Sequence, residues 1–258
     1  MSRLPSDPAL WTAADTLRAY RDRTLSPVEA TQAALKRIAM LNGAVNAYCL
    51  IDAEGALAAA RAAEARWAKG APLSSFDGIT ASVKELMLAK GWPTRRCSKL
   101  TSPEGTWDEN APAVARLREG GAVLLGKTTS PEIGWKGVTD SPLFGITRNP
   151  WDTRMTPGGS SGGAAVAAAL GMGTLHLGTD GGGSIRMPAG FTGIFGLKPT
   201  YGLVPVYPLS TFGTLSHAGP MTRTVGDAAL MLDIIAQRDA RDWHQLPPTA
   251  LDFGDSDL

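Results

Sequence analysis

Two glycine-bedded serine clusters stand close together in this chain. Residues 156–163 read TPGGSSGG and carry Ser160 and Ser161, while residues 180–186 read DGGGSIR and carry Ser184 behind Gly181, Gly182 and Gly183. A serine becomes a nucleophile only beside a base, and its attack on a carbonyl needs N–H donors for the oxyanion that forms. Glycines beside it let the main chain approach that oxygen. The base could be a lysine: ITASVK ends on Lys84, which strand alternation would carry inward or to a rim. An enclosed lysine loses the hydration that favours its charged form, so it can accept a proton near neutral pH.

Four readings of the clusters compete. A Gly/Ser linker should separate two self-sufficient segments, yet GGSSGG runs straight into the alanine-rich AAVAAAL. A phosphate cradle of the P-loop type needs a lysine after its last glycine, and neither cluster has one. Gly158 to Gly162 matches Gly-x-Ser-x-Gly, which would make Ser160 an elbow nucleophile with His217 or His244 as base; but an elbow follows a strand, and NPWDTRMTP before it is polar with two prolines. The fourth reading uses two serines in series with a lysine base, with Lys84 the candidate and Lys127, Lys136 and Lys198 its rivals beside other apolar runs.

These groups need a scaffold, and the sequence predicts an α/β one. The first seventy residues read as helical. Ser26, Pro27 and Glu29 open a capped helix that should end at Gly43, and a second runs over about 53–69. From Phe76 the texture changes: Ile79, Ala81 and Val83 alternate with Thr80, Ser82 and Lys84 as in a strand, then comes a helix, a Gly-Gly stop and a strand near 122–125. TLHLGTD and IFGLKPT continue the strand rhythm, helices follow each serine cluster, and Thr224 with Asp227 caps another. The expectation is a single domain over 1–258, with a helical scaffold in 1–75 and a catalytic core in 76–220.

Composition narrows the setting. Lys+Arg 25 against Asp+Glu 24 leaves no broad field to draw nucleic acid or a membrane surface. Cys49 and Cys97 are too few for a disulfide framework, and no signal-peptide pattern or long apolar run appears, so a reducing cytoplasm is expected. A small-molecule partner fits better than nucleic acid or membrane.

The stretch from about Gly78 to Pro220, densest from LFGITRNPWDTRMTPGGSSGG to GIFGLKPTYGLVP, resembles the amidase signature family. The resemblance implies a mixed, mostly parallel sheet flanked by helices on both faces, and hydrolysis of a non-peptide carboxamide through an acyl-serine. It makes Ser184 the nucleophile, Ser160 the serine after a cis peptide that relays its proton, and Lys84 the base. The amides of Gly181, Gly182, Gly183 and Ser184 become the oxyanion hole. Ser161, Thr179, Asp180 and Arg186 become supports, Ser161 by hydrogen bonds within the relay and Arg186 as an anchor of the nucleophile loop. Trp92, Trp135, Phe144 and Met187 are candidates to line an acyl pocket. No metal or organic cofactor is implied.

The chain departs from the family in having Glu85 where an aspartate is usual and glycine at 181. It is also about half the usual length, so the resemblance implies an architecture truncated at the C-terminus, with exposed sheet edges that a homodimer would cover. That leaves two further expectations beside an active amidase: an impaired fragment serving as a binding or assembly module, or a glutaminase-type subunit of a transamidation complex.

Overall fold

The computed structural model describes residues 4–247 and Phe253. Helices α1 (Ala13–Arg21) and α2 (Pro27–Val45) lead into strand β1 (Tyr48–Ile51) and helix α3 (Ala53–Ala68). Then come β2 (Thr80–Lys84), α4 (Pro112–Glu119), β3 (Val123–Thr128) and a small hairpin of β4 (Asp140–Ser141) and β5 (Gly145–Ile146). The remainder is α5 (Gly162–Ala169), β6 (Leu175–Asp180), α6 (Arg186–Thr192), β7 (Phe195–Gly196), β8 (His217–Thr222) and α7 (Val225–Ile235).

The main sheet has six strands in the order β1-β3-β2-β6-β8-β7. Strands β3, β2 and β6 are mutually parallel. Strands β1 and β8 oppose them, and β7, opposed to β8, runs with the central three. Four of the six strands therefore share one direction, which makes the sheet mixed and mostly parallel as expected.

Alternation along the central strands explains why both faces are covered. In β3, Leu124 packs with Ala81 and Val83 of β2, with Ile79 just before it and with Leu175 and Leu177 of β6, in a core shared by α1, α4 and α7. Val123 and Leu125 point to the other face and pack with α2, α3 and α5 through Ile38, Ala60 and Val166. Each strand is buried on both sides, so the polar residues on the second face, Thr80, Ser82 and Lys84, are buried as well.

Caps written in the sequence are formed. The Ser26 hydroxyl accepts the Glu29 amide at 3.2 Å while the Glu29 carboxylate accepts the Ser26 amide at 2.8 Å. The Thr224 hydroxyl accepts the Asp227 amide at 3.1 Å.

Three expectations are corrected. Helix α2 does not stop at Gly43 but runs to Val45, because termination is done by Asn46, left-handed at φ 53, whose amide donates to the Asn42 carbonyl. The region expected to be wholly helical holds β1, whose Tyr48 pairs with Thr128 and extends the sheet beyond β3. The run IFGLKPT gives only the two-residue β7 before Pro199, where the chain leaves the edge.

Candidate active site

The parallel strands β2 and β6 end side by side, with α5 packed against them, and that junction gathers the polar residues. Lys84, the last residue of β2, is fully buried. Its Nζ lies 2.7 Å from Ser160 Oγ, 2.8 Å from Ser161 Oγ and 2.8 Å from Thr179 Oγ1. Burial pushes the Lys84 ammonium down to about 7, against the opposing pull of the Asp180 carboxylate. Near neutral pH this amine exists in both protonation states, as a proton acceptor must.

Ser160 and Ser161 stand at the start of α5, and the Gly159–Ser160 peptide bond is cis. Residue 159 has no room for a side chain, since a Cβ there would lie 2.7 Å from the Val138 carbonyl. Ser161 is fixed by the β6 backbone: its hydroxyl donates to the Thr179 carbonyl at 3.0 Å and accepts the Thr179 amide at 3.2 Å. The segment before Ser160 is irregular, so the strand that an elbow nucleophile requires is absent among the described residues.

The second cluster turns out of β6 directly beside the first. The Ser161 amide donates to the Ser184 carbonyl at 3.1 Å, tying the two loops together. Asp180, fully buried, organises the turn: Oδ1 accepts the Gly183 amide at 2.7 Å and Oδ2 the Ile185 amide at 3.1 Å. Arg186 closes on the same carboxylate with Nε and Nη2, each at 2.9 Å. Burial alone would raise the Asp180 carboxyl, but Arg186 and these amides outweigh it and hold the group below the usual carboxylate range. Arg186 thus ties the loop to Asp180 while its side chain stays half exposed.

One expected donor is excluded. The Gly183 amide is committed to Asp180, so it is not free to hold an oxyanion, whereas the amides of Gly181, Gly182 and Ser184 donate to none of the described residues. The Ser184 hydroxyl likewise has no hydrogen-bond partner among them, and with Ser160 it lines a cavity of about 270 Å³.

Leu86, Trp135, Lys136, Met187 and Phe212 line that cavity too, with the Trp135 and Phe212 rings stacked at 5.7 Å. Trp135 and Met187 therefore stand where an acyl pocket was expected, but Trp92 and Phe144 do not. The Trp92 indole is turned to Asp52, donating to it at 3.0 Å, because a buried indole N–H needs an acceptor. Phe144 lies in the β4–β5 turn, where its carbonyl accepts from Asn46. Leu86, Phe212 and the irregular segment around Ser216 were missed from sequence, since no periodicity marks them.

The rival bases are otherwise engaged, including Lys136 in the cavity wall. Lys127 is buried but donates to the Pro93 carbonyl and, at 2.7 Å, to Thr94. Lys136 pairs with Asp140, and Lys198 donates to the Pro199 carbonyl. The Nδ1 atom of His217 contacts the carbonyls of Asp180 and Leu215, and the His244 ring meets Tyr201. Among the described residues no group of three His, Cys, Asp or Glu side chains is placed to hold a metal, and no helix is long and apolar enough to cross a membrane.

Comparison with known proteins agrees on one family. The family described as Amidase matches residues 29–256. A glutamyl-tRNA(Gln) amidotransferase subunit from Acidothermus cellulolyticus is 45% identical over 234 residues, covering 90% of this chain and 46% of that protein. Peptide amidase from Stenotrophomonas maltophilia superposes with a TM-score of 0.88 at 33% identity, covering 97% of this chain and 53% of the other. A bacterial aryl acylamidase does so with a TM-score of 0.86 at 33% identity, covering 95% and 51%. The chain thus spans about half the length of the relatives it matches.

Proposed function

This chain belongs to the amidase family, and from that premise we propose that it hydrolyses a non-peptide carboxamide through an acyl-Ser184 intermediate, with Ser160 and Lys84 relaying the proton. The observation that carries this is the contact of a buried lysine, lowered to about 7, with Ser160 at 2.7 Å, in the wall of a cavity that Ser184 shares.

A proton count supports the direction of the relay. A neutral lysine amine has two N–H bonds and one lone pair. Ser161 donates its own proton to the Thr179 carbonyl, so its oxygen accepts from Nζ, and Thr179 Oγ1 takes the second N–H. The lone pair is then left for the hydroxyl of Ser160.

In the proposed reaction Ser184 Oγ attacks the carbonyl carbon while its proton passes to Ser160 and that of Ser160 to Lys84. The oxyanion is held by the free amides of Gly181, Gly182 and Ser184, and the relay returns the proton to the departing nitrogen as the C–N bond breaks. Water then attacks the ester, releasing the acid and restoring Ser184, so that amide and water give acid and amine. Purified protein should release amine from simple carboxamides, and Ser184→Ala should release none; equal release by both would refute the assignment.

A second reading is favoured by the 45% identity to an amidotransferase component. Here the same chemistry would release ammonia from glutamine within a larger complex. Glutamine hydrolysis that appears only when partner subunits co-purify would select it over a free-standing amidase.

A further inference from the structure

Next to the candidate cavity lies a second cleft of about 100 Å³ that shares Leu86, Thr179, Phe212 and Ser216 with it. Its walls are mostly apolar, with Met87, Ile133, Pro205 and Val206 among them, and among the described residues Arg96 is the only charged one that lines it. The guanidinium of Arg96 makes no ion pair or hydrogen bond with the described residues; only its backbone carbonyl is used, accepting the Ile133 amide at 2.8 Å. A free guanidinium beside apolar walls is suited to a carboxylate, which it can grip with two parallel N–H bonds.

The Arg96 side chain is exposed, but the turn that carries it is held in place. Arg96 and Cys97 are both left-handed, at φ 53 and φ 54. Glu85, next to Lys84 and buried, braces this turn by accepting the amides of Arg95 at 2.6 Å and Cys97 at 2.8 Å. Glu85 thus connects the candidate base to the loop that carries Arg96. Side chains with a left-handed backbone are uncommon and cluster at functional sites.

We propose that this cleft receives the acyl end of the substrate and that Arg96 binds a carboxylate carried there, so that the substrate class is the monoamide of a dicarboxylic acid. The assignment rests on the hydrolytic reading of Ser184. The acyl end is the part to hold, because it stays on the serine until water arrives, whereas the amine leaves after the first step. The rim of the larger cavity, with Trp135 at 77% exposure, leaves a way out for that amine.

Calorimetric titration with glutarate and kinetics on two p-nitroanilides, of glutaric acid and of pentanoic acid, test this together. Wild-type protein should bind glutarate and favour the glutaryl anilide by about 10- to 100-fold in kcat/KM, the range of a charged hydrogen bond. Arg96→Met should lose glutarate binding and that preference, and Arg96→Lys should keep part of both. Glutarate binding unchanged in Arg96→Met, or absent in wild type, would overturn the carboxylate site. Glutarate binding that depends on Arg96, with neither anilide cleaved, would uphold the carboxylate site and refute the hydrolytic reading instead.

Discussion

Lys84 and Ser160, 76 residues apart in the chain, meet at 2.7 Å in the buried junction of β2 and α5. The lysine has three hydroxyl neighbours, and the Asp180 carboxylate that pulls against its neutral form is already claimed by Arg186 and backbone amides. An amine so enclosed sheds its proton readily because no adjacent carboxylate is free to hold it there.

The pH profile should follow this group. A neutral Lys84 is required, so kcat/KM should rise as pH increases through about 7 and level off above it. Lys84→Met should lower kcat by about 10²- to 10⁴-fold and remove that limb. An intact limb near 7 in the variant would assign it to another group.

Stability should carry an imprint of the same burial. The folded lysine is lowered to about 7 while an unfolded one titrates near its usual value, about 10.4. Between those two values the unfolded chain binds the extra proton, so wild-type stability should rise with pH over that window, relative to Lys84→Met. Urea unfolding of both proteins at pH 7 and pH 9 measures the difference; parallel behaviour would mean that the lysine is not desolvated.

Asp180→Asn should cost about 2–3 kcal/mol, because one amide oxygen replaces two acceptors that serve backbone amides and the Arg186 fork. The carboxyl is held low in the fold, so its contribution is present above about pH 4 and is lost as pH falls towards the folded value. The variant should lack that acid-dependent loss. Arg186→Gln should cost about 1 kcal/mol or less, since the arginine side chain is 54% exposed and solvent screens the pair. Thermal melts that rank the two variants the other way would contradict this division.

The glycines divide by the space around them. At Gly159 a Cβ meets backbone at 2.7 Å, so Gly159→Ala should destabilise the loop and lower turnover. At Gly181 the nearest atom is 3.5 Å away, so Gly181→Ala should fold normally and gain about 0.4–1 kcal/mol from a less disordered unfolded chain. A severe loss of stability at Gly181 would show that the loop requires glycine there.

Much of the site was legible because its chemistry is local in sequence. The alternation ending in Lys84 placed an enclosed lysine correctly, and the two serine clusters lie on loops that the Ser161–Ser184 hydrogen bond joins. The Ser26 and Thr224 caps were readable for the same reason. What escaped depends on contacts between distant segments. The commitment of the Gly183 amide to Asp180 and the turn of Trp92 towards Asp52 are decided by where the fold brings an acceptor. Strand β1 is short and does not alternate, and only its pairing with β3 defines it. Glu85 stood out merely as an unusual neighbour of Lys84, although it holds the turn that carries Arg96.

Ser184, not Ser160, should become acylated. Incubation with a fluorophosphonate followed by peptide mass mapping tests it directly. One adduct on the peptide containing Ser184, lost in Ser184→Ala, is the predicted result; an adduct on Ser160, or labelling that survives in Ser184→Ala, would contradict it.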